Sequence, residues 1–117
     1  MPRSAPPRHP RRYWAQQTLP AGTGIYADGM SLIRAHACDA VLIATPHYQH
    51  PTLAIEAFRH GKHVLCEKPA GVYTLQVRDM IAEADRHPEL TFGMMFNQRT
   101  NCVYRKAKEL IDSGALG

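Results

Sequence analysis

The stretch His63-Val64-Leu65-Cys66-Glu67-Lys68-Pro69 decides the fold. Its apolar run reads as a short buried strand that delivers a Glu-Lys pair and is stopped by proline. The upstream run Ala40-Val41-Leu42-Ile43-Ala44-Thr45-Pro46 ends in the same way, apolar and then Thr-Pro. A helical spacing over residues 50–60 joins the two. Strand, helix and strand of this length imply a parallel βαβ unit with a right-handed crossover. Open α/β sheets place ligands beyond the carboxyl ends of their strands, so Thr45 and Lys68 would border one crevice.

The unit repeats along the chain. The pattern predicts strand 40–45 and helix 50–60, strand 63–66 and helix 74–87, then strand 91–96 and helix 100–113. Gly61 and Gly114 sit where helix C-caps belong, and Pro88 follows a helix end. The strands are apolar without alternation (Val-Leu-Ile, Val-Leu-Cys, Phe-Gly-Met-Met-Phe), which implies a sheet covered on both faces. Before them, Tyr13 to Thr18 reads as the end of a helix closed by Pro20. Ile25-Tyr26 reads as a minimal strand, Ala27-Asp28-Gly29 as a turn and Met30 to Ala37 as a helix.

At 117 residues the chain is one domain at most. No apolar run approaches the roughly 20 residues of a membrane span, and there is no secretory h-region, so the expected location is the cytoplasm. Cys38, Cys66 and Cys102 are odd in number and lack C-x-x-C spacing, as expected of free thiols in a reducing compartment. The net charge of +4 comes entirely from Arg3, Arg8, Arg11 and Arg12, because basic and acidic residues balance from Tyr13 onward. Pro2, Pro6, Pro7 and Pro10 share that segment, and the expectation is that they rule out a regular helix there. The expected organisation is therefore a disordered tail over 1–12 and a folded domain over 13–117.

Several side chains invite chemical roles. Lys68 could serve as a general acid or base, with Glu67 either holding its charge or accepting from a substrate or ribose hydroxyl. A cis peptide bond before Pro69 would turn the chain sharply there. Asn97-Gln98-Arg99 follows the third strand at the same edge, where amide and guanidinium groups could read a carboxamide or hydroxyls. Gly93 within its strand suggests close approach of a backbone or ligand. Two H-x-x-H pairs, His47/His50 and His60/His63, suggest metal binding, but His47 lies before the helix, His60 and His63 straddle a turn containing Gly61, and no acid or cysteine completes a set; no metal site is expected. A pyrophosphate-binding G-x-G-x-x-G is missing. Gly22-Thr23-Gly24 follows a proline instead of a strand.

From Asp39 to Gly117 the chain resembles the Gfo/Idh/MocA oxidoreductases (glucose–fructose oxidoreductase, inositol dehydrogenase and relatives). The matching elements are Asp39 to Pro46, His50, Ala54, Gly61-Lys62-His63-Val64, Glu67-Lys68-Pro69 and Gly93 to Arg99. The resemblance implies a partial Rossmann-like parallel sheet that lacks the first strand–glycine turn–helix–strand unit and the substrate domain, truncated at both ends. It implies NAD or NADP as cofactor, with Thr45, Pro46 and His50 along the nicotinamide-ribose side. Glu67 and Lys68 would contact the nicotinamide end, Lys68 acting as the catalytic residue on a substrate hydroxyl, with Asn97 and Arg99 close by. The implied reaction is hydride transfer between cofactor and a secondary alcohol of a small polyhydroxylated substrate. Little turnover is expected of this chain alone.

Loss of the first unit would also leave Val41-Leu42-Ile43 as an unpaired apolar edge and expose the sheet faces its helices cover, so marginal stability, self-association or both are expected. The alternative is a non-catalytic binding protein whose basic N-terminal arm neutralises phosphates. Without a nucleic-acid reading motif or much aromatic interleaving, neither nucleic acid nor a membrane is expected as a partner.

Overall fold

The repeated βα pattern is realised in a computed structural model, which describes residues 10–116. In chain order the elements are α1 (Pro10–Thr18), α2 (Gly29–Arg34), β1 (Ala40–Ile43), α3 (His50–Arg59), β2 (His63–Glu67), α4 (Thr74–Asp85), β3 (Phe92–Met95) and α5 (Cys102–Asp112). Short 3-10 turns at His47–Gln49 and Asn97–Thr100 precede α3 and α5. The strands form one parallel sheet in the order β1-β2-β3. Val41 aligns with Val64, Ile43 with Cys66, Cys66 with Met94 and Glu67 with Met95. All three strands therefore end at one edge. The partial Rossmann-like architecture is thus present.

One face of the sheet carries the core. Ile43, Val64 and Cys66 point into it and meet Leu53, Ala54, Ala57 and Phe58 of α3 and Met80 of α4, all buried. Those α3 positions recur at helical spacing, which is why one stripe of the helix is apolar. Ala54 and Ala57 are completely buried, and their small side chains let the helix lie close on the strands. Phe58 meets Phe92 edge to face, ring centroids 5.5 Å apart, a preferred aromatic geometry.

The opposite face is not covered as the continuous apolar runs imply; it is exposed, as expected of a sheet without the helices of the first unit. Leu42 is 60% exposed and Leu65 36% exposed. Both α3 and α4 follow right-handed crossovers in the same direction, so they stack on the same face. Among the described residues nothing takes the other. Among the described residues β1 pairs only with β2, which leaves its outer edge unpaired, as expected.

Element ends follow local chemistry. Asp28 caps α2 by accepting the Ser31 N–H at 2.7 Å, and the Ser31 hydroxyl lies 3.3 Å from the Asp28 N–H in return, a capping box. Gly61 (φ +67°) ends α3 in the left-handed region that glycine enters freely. Two early readings differ. Helix α1 (Pro10–Thr18) ends at Thr18 as expected but takes in residues 10–12, assigned to the tail, because proline fits the first helical turn, where its missing N–H would have no partner. Residues 10–12 are accordingly helical, while the rest of the tail, 1–9, lies outside the described residues. Ile25-Tyr26 forms no strand, since no ladder partner lies beside it.

The helical layer carries its own ion-pair brace. Glu83 of α4, with only 8% of its side chain exposed, accepts from Arg59 Nε of α3 at 3.1 Å and from Arg59 Nη2 at 3.2 Å. Arg86 Nη1 donates to it at 2.8 Å. The bonded Arg59 guanidinium, aided by Arg86, holds the Glu83 carboxyl below its ordinary range despite desolvation. A carboxyl lowered by folding adds stability above its unfolded pKa, about 4.3, and loses it as pH falls through the folded value. Glu83→Gln should therefore flatten the acid limb of stability below roughly pH 4.5. Chemical denaturation measured at several pH values would show this.

Candidate functional site

The carboxyl edge of the sheet gathers the polar residues named above. Thr45 and Pro46 follow β1, Lys68 and Pro69 follow β2, and Asn97 to Arg99 follow β3. Parallel register makes this unavoidable, since three strands that start together and run the same way end together. The Lys68–Pro69 peptide bond is cis.

Each residue sits differently. Thr45 Oγ1 is buried and has no hydrogen-bond partner among the described residues. An orphaned hydroxyl of this kind costs about 1–3 kcal/mol and is a natural place for a ligand atom to bond. Glu67 turns its carboxylate back on the chain, where Oε2 accepts the Lys68 backbone N–H at 3.0 Å. Among the described residues, no carboxylate lies within ion-pair distance of Lys68 Nζ, so the ammonium is exposed and free to meet a ligand. The Arg99 guanidinium lies over the Phe96 ring, 5.4 Å from its centroid. Asn97 opens the 3-10 turn, its carbonyl accepting the Thr100 hydroxyl at 2.7 Å.

The histidines resolve into local bonds. His63 Nδ1 accepts the Thr91 N–H at 2.9 Å, tying the start of β2 to the start of β3. His60 Nδ1 lies 2.9 Å from the Glu56 carbonyl oxygen. Among the described residues, no three metal-ligating side chains come together. His50 is completely buried, with Nε2 2.8 Å from the Thr45 carbonyl oxygen and Nδ1 2.8 Å from the Pro69 carbonyl oxygen. A direct contact of His50 with a ribose finds no free ring nitrogen.

Sequence reasoning missed a group on α5. Tyr104, Arg105 and Lys108 line a groove of about 580 Å³ together with Gln98 and Arg99. Their i, i+1, i+4 spacing places them on one helix face, a signal that was available but is common on solvated helices. Gly93 also reads differently. A Cβ there would lie 3.2 Å from Leu65 Cδ1, so the neighbour that approaches it within the protein is a side chain. Of the polar atoms present, the buried Thr45 hydroxyl and the Lys68 ammonium suit the nicotinamide end of a dinucleotide. A glycine turn for the pyrophosphate is absent among the described residues.

Three parallel strands whose carboxyl ends carry Thr45, Lys68, Asn97 and Arg99 define a partial Rossmann-like domain. The sequence profile described as "Oxidoreductase family, NAD-binding Rossmann fold" matches residues 15–94. The chain belongs to that family, the Gfo/Idh/MocA oxidoreductases. It is 34% identical over 98 residues to the inositol 2-dehydrogenase of Rubrobacter xylanophilus, covering 83% of this chain and 28% of that protein. It is also 34% identical over 92 residues to the myo-inositol 2-dehydrogenase of Thermotoga maritima, covering 79% of this chain and 27% of the other.

Among solved structures, apo scyllo-inositol dehydrogenase of Lactobacillus casei superposes with a TM-score of 0.81 at 30% identity, over 90% of this chain and 31% of that one. The same enzyme with bound NAD(H) and scyllo-inositol gives 0.72 at 32% identity, over 77% of this chain and 26% of that one. The chain thus spans just over a quarter of the length of the curated relatives it matches. No helix among the described residues is long and apolar enough to cross a membrane.

Burial separates the three thiols. Cys66 is fully buried on the core face, and desolvation, with the Glu67 charge beside it, pushes its pKa up to about 11. It is therefore a protonated, unreactive thiol at neutral pH. Iodoacetamide should alkylate exposed Cys102 first and leave Cys66 unmodified until the chain unfolds, as peptide mass spectrometry would show.

Proposed function

We propose that residues 13–117 are the nicotinamide-side part of the cofactor domain of an oxidoreductase acting on a secondary alcohol of a polyol or sugar. The observation that carries the reading is the partnerless Thr45 hydroxyl, buried at the strand edge that also presents Lys68. When bound, the nicotinamide ring would accept or return a hydride. The chain's own residues do the rest. Thr45 and Pro46 line the ribose side, Glu67 fixes the backbone at Lys68, and Asn97 and Arg99 orient carboxamide or substrate hydroxyls. Lys68 is the catalytic residue, taking or giving the proton of the substrate hydroxyl as hydride moves. The cofactor is NAD or NADP, and NAD(H) is the form to test first because it is named in the L. casei structure. The names of the relatives point to an inositol-like polyol as substrate.

Thr45→Val keeps the shape and removes the hydroxyl. Without a ligand it should stabilise the fold, by about 1 kcal/mol, because it removes an unsatisfied buried polar group. Affinity for NADH should nevertheless fall by about fivefold to tenfold. Thermal melts and calorimetric titration of the chain would read the two effects. Unchanged NADH affinity, or no binding by the unmodified chain, would count against the assignment.

The same reading extends to association between copies. The free β1 edge and the exposed Leu42 and Leu65 form an apolar surface with unpaired backbone groups. Size-exclusion chromatography should give a species larger than 13.1 kDa that enhances the fluorescence of a hydrophobic dye. A dye-silent monomer would refute it.

A further inference from the structure

We propose that His50 is a positioning residue whose imidazole donates from both nitrogens, tying the Thr45 strand end to the Lys68-Pro69 strand end and so setting the width of the crevice. Its meaning for catalysis rests on the function proposed above, but its geometry does not.

His50 opens α3 and is completely buried. Its two ring nitrogens reach different loops, Nε2 to the Thr45 carbonyl and Nδ1 to the Pro69 carbonyl, each at 2.8 Å. Carbonyl oxygens accept and never donate, and a neutral imidazole has one N–H and one bare lone pair. A neutral ring would therefore bond one loop and turn a lone pair on the other. Only a doubly protonated ring bonds both, and charge-assisted bonds are roughly twice as strong as neutral ones. The ring has no carboxylate partner among the described residues, so these two bonds are what opposes the cost of burying its charge.

A second contact presses the same loop onto α3. A Cβ at Gly71 would fall 2.7 Å from Pro51 Cγ and 2.9 Å from Val77 Cγ2, so only glycine lets the Lys68 loop seat there. The loops carrying Thr45 and Lys68 are thus referenced to the first turn of one helix. Among the described residues, the titratable groups beside the brace are His47, Glu67 and Lys68. The His47 ring, in the 3-10 turn, meets His50 edge-on with centroids 5.5 Å apart. Glu67 and Lys68 immediately precede Pro69. No side-chain hydrogen bond joins His50 to any of them.

The test needs no cofactor, so its failure and the failure of the cofactor reading are separable. Proton–nitrogen correlation spectra of the isotope-labelled chain at neutral pH should show both His50 ring nitrogens carrying slowly exchanging protons. A bare nitrogen on either side would overturn the proposal, since one loop would then be unbraced. His50→Phe keeps the ring volume and removes both donors. Amide hydrogen exchange should then quicken about tenfold or more around Thr45 and Lys68 while residues 53–58 of α3 stay protected. Uniform loosening of α3, or no change at the two loops, would overturn the positioning role. If that variant does not fold, the spectra of the unmodified chain decide alone.

Discussion

The packing of α3 on one face of a three-stranded sheet is the interaction on which the rest of the structure depends. Leu53, Ala54, Ala57 and Phe58 cover Ile43, Val64 and Cys66, and α4 closes the side with Met80. Burying a side chain such as Phe58 or Met80 contributes about 1.5–3 kcal/mol, so this small cluster supplies much of what opposes chain entropy. Because α3 is the crossover between β1 and β2, the same contact sets the polarity of the site. Its C-terminus turns at Gly61 into the amino end of β2, and its first residue, His50, lies at the carboxyl edge. Site geometry and core packing are therefore one problem in this protein.

Charge is distributed in keeping with that division. The carboxylate most fully removed from water, Glu83, sits in the helical layer with its oxygens occupied by two arginines. It holds α4 to α3 and takes no part at the strand ends. Lys68, Asn97 and Arg99 are exposed at the edge, where a cofactor or substrate could reach them. The cavity of about 420 Å³ between α3 and α4 is lined by the already paired Glu83, Arg59 and Arg86, and it belongs to the brace, not to the chemistry. The exposed apolar face of the sheet and the free edge of β1 show the other side of the arrangement. This chain spans just over a quarter of its relatives, and the surfaces it leaves bare are those that a parallel sheet normally covers.

Most elements were legible because their signals agree. Continuous apolar runs ending at Thr-Pro and Lys-Pro mark strands buried on at least one face, and Gly61 and Gly114 mark helix ends with positive φ. The misreadings have physical causes. Proline at position 10 was read as a helix breaker, although in a first turn it has no hydrogen bond to break. Ile25-Tyr26 has strand composition, but a strand exists only where a partner supplies the ladder. Leu42 and Leu65 have core composition, yet their exposure depends on what lies opposite, which no local pattern encodes. The α5 cations escaped notice because charged residues at helical spacing are ordinary on exposed helices.

By itself the sequence determined the class of protein, the succession of βα units and the edge at which Thr45, Lys68, Asn97 and Arg99 converge. Periodicity and parallel topology are local or combinatorial properties, and a chain carries them in its order. Only the tertiary structure decided that both ring nitrogens of His50 face backbone carbonyls and that the Thr45 hydroxyl is buried without a partner among the described residues. Each of these depends on atoms brought together from distant parts of the chain. Hydrogen-bond partnership and burial are set by that juxtaposition, and residue identity alone does not specify them.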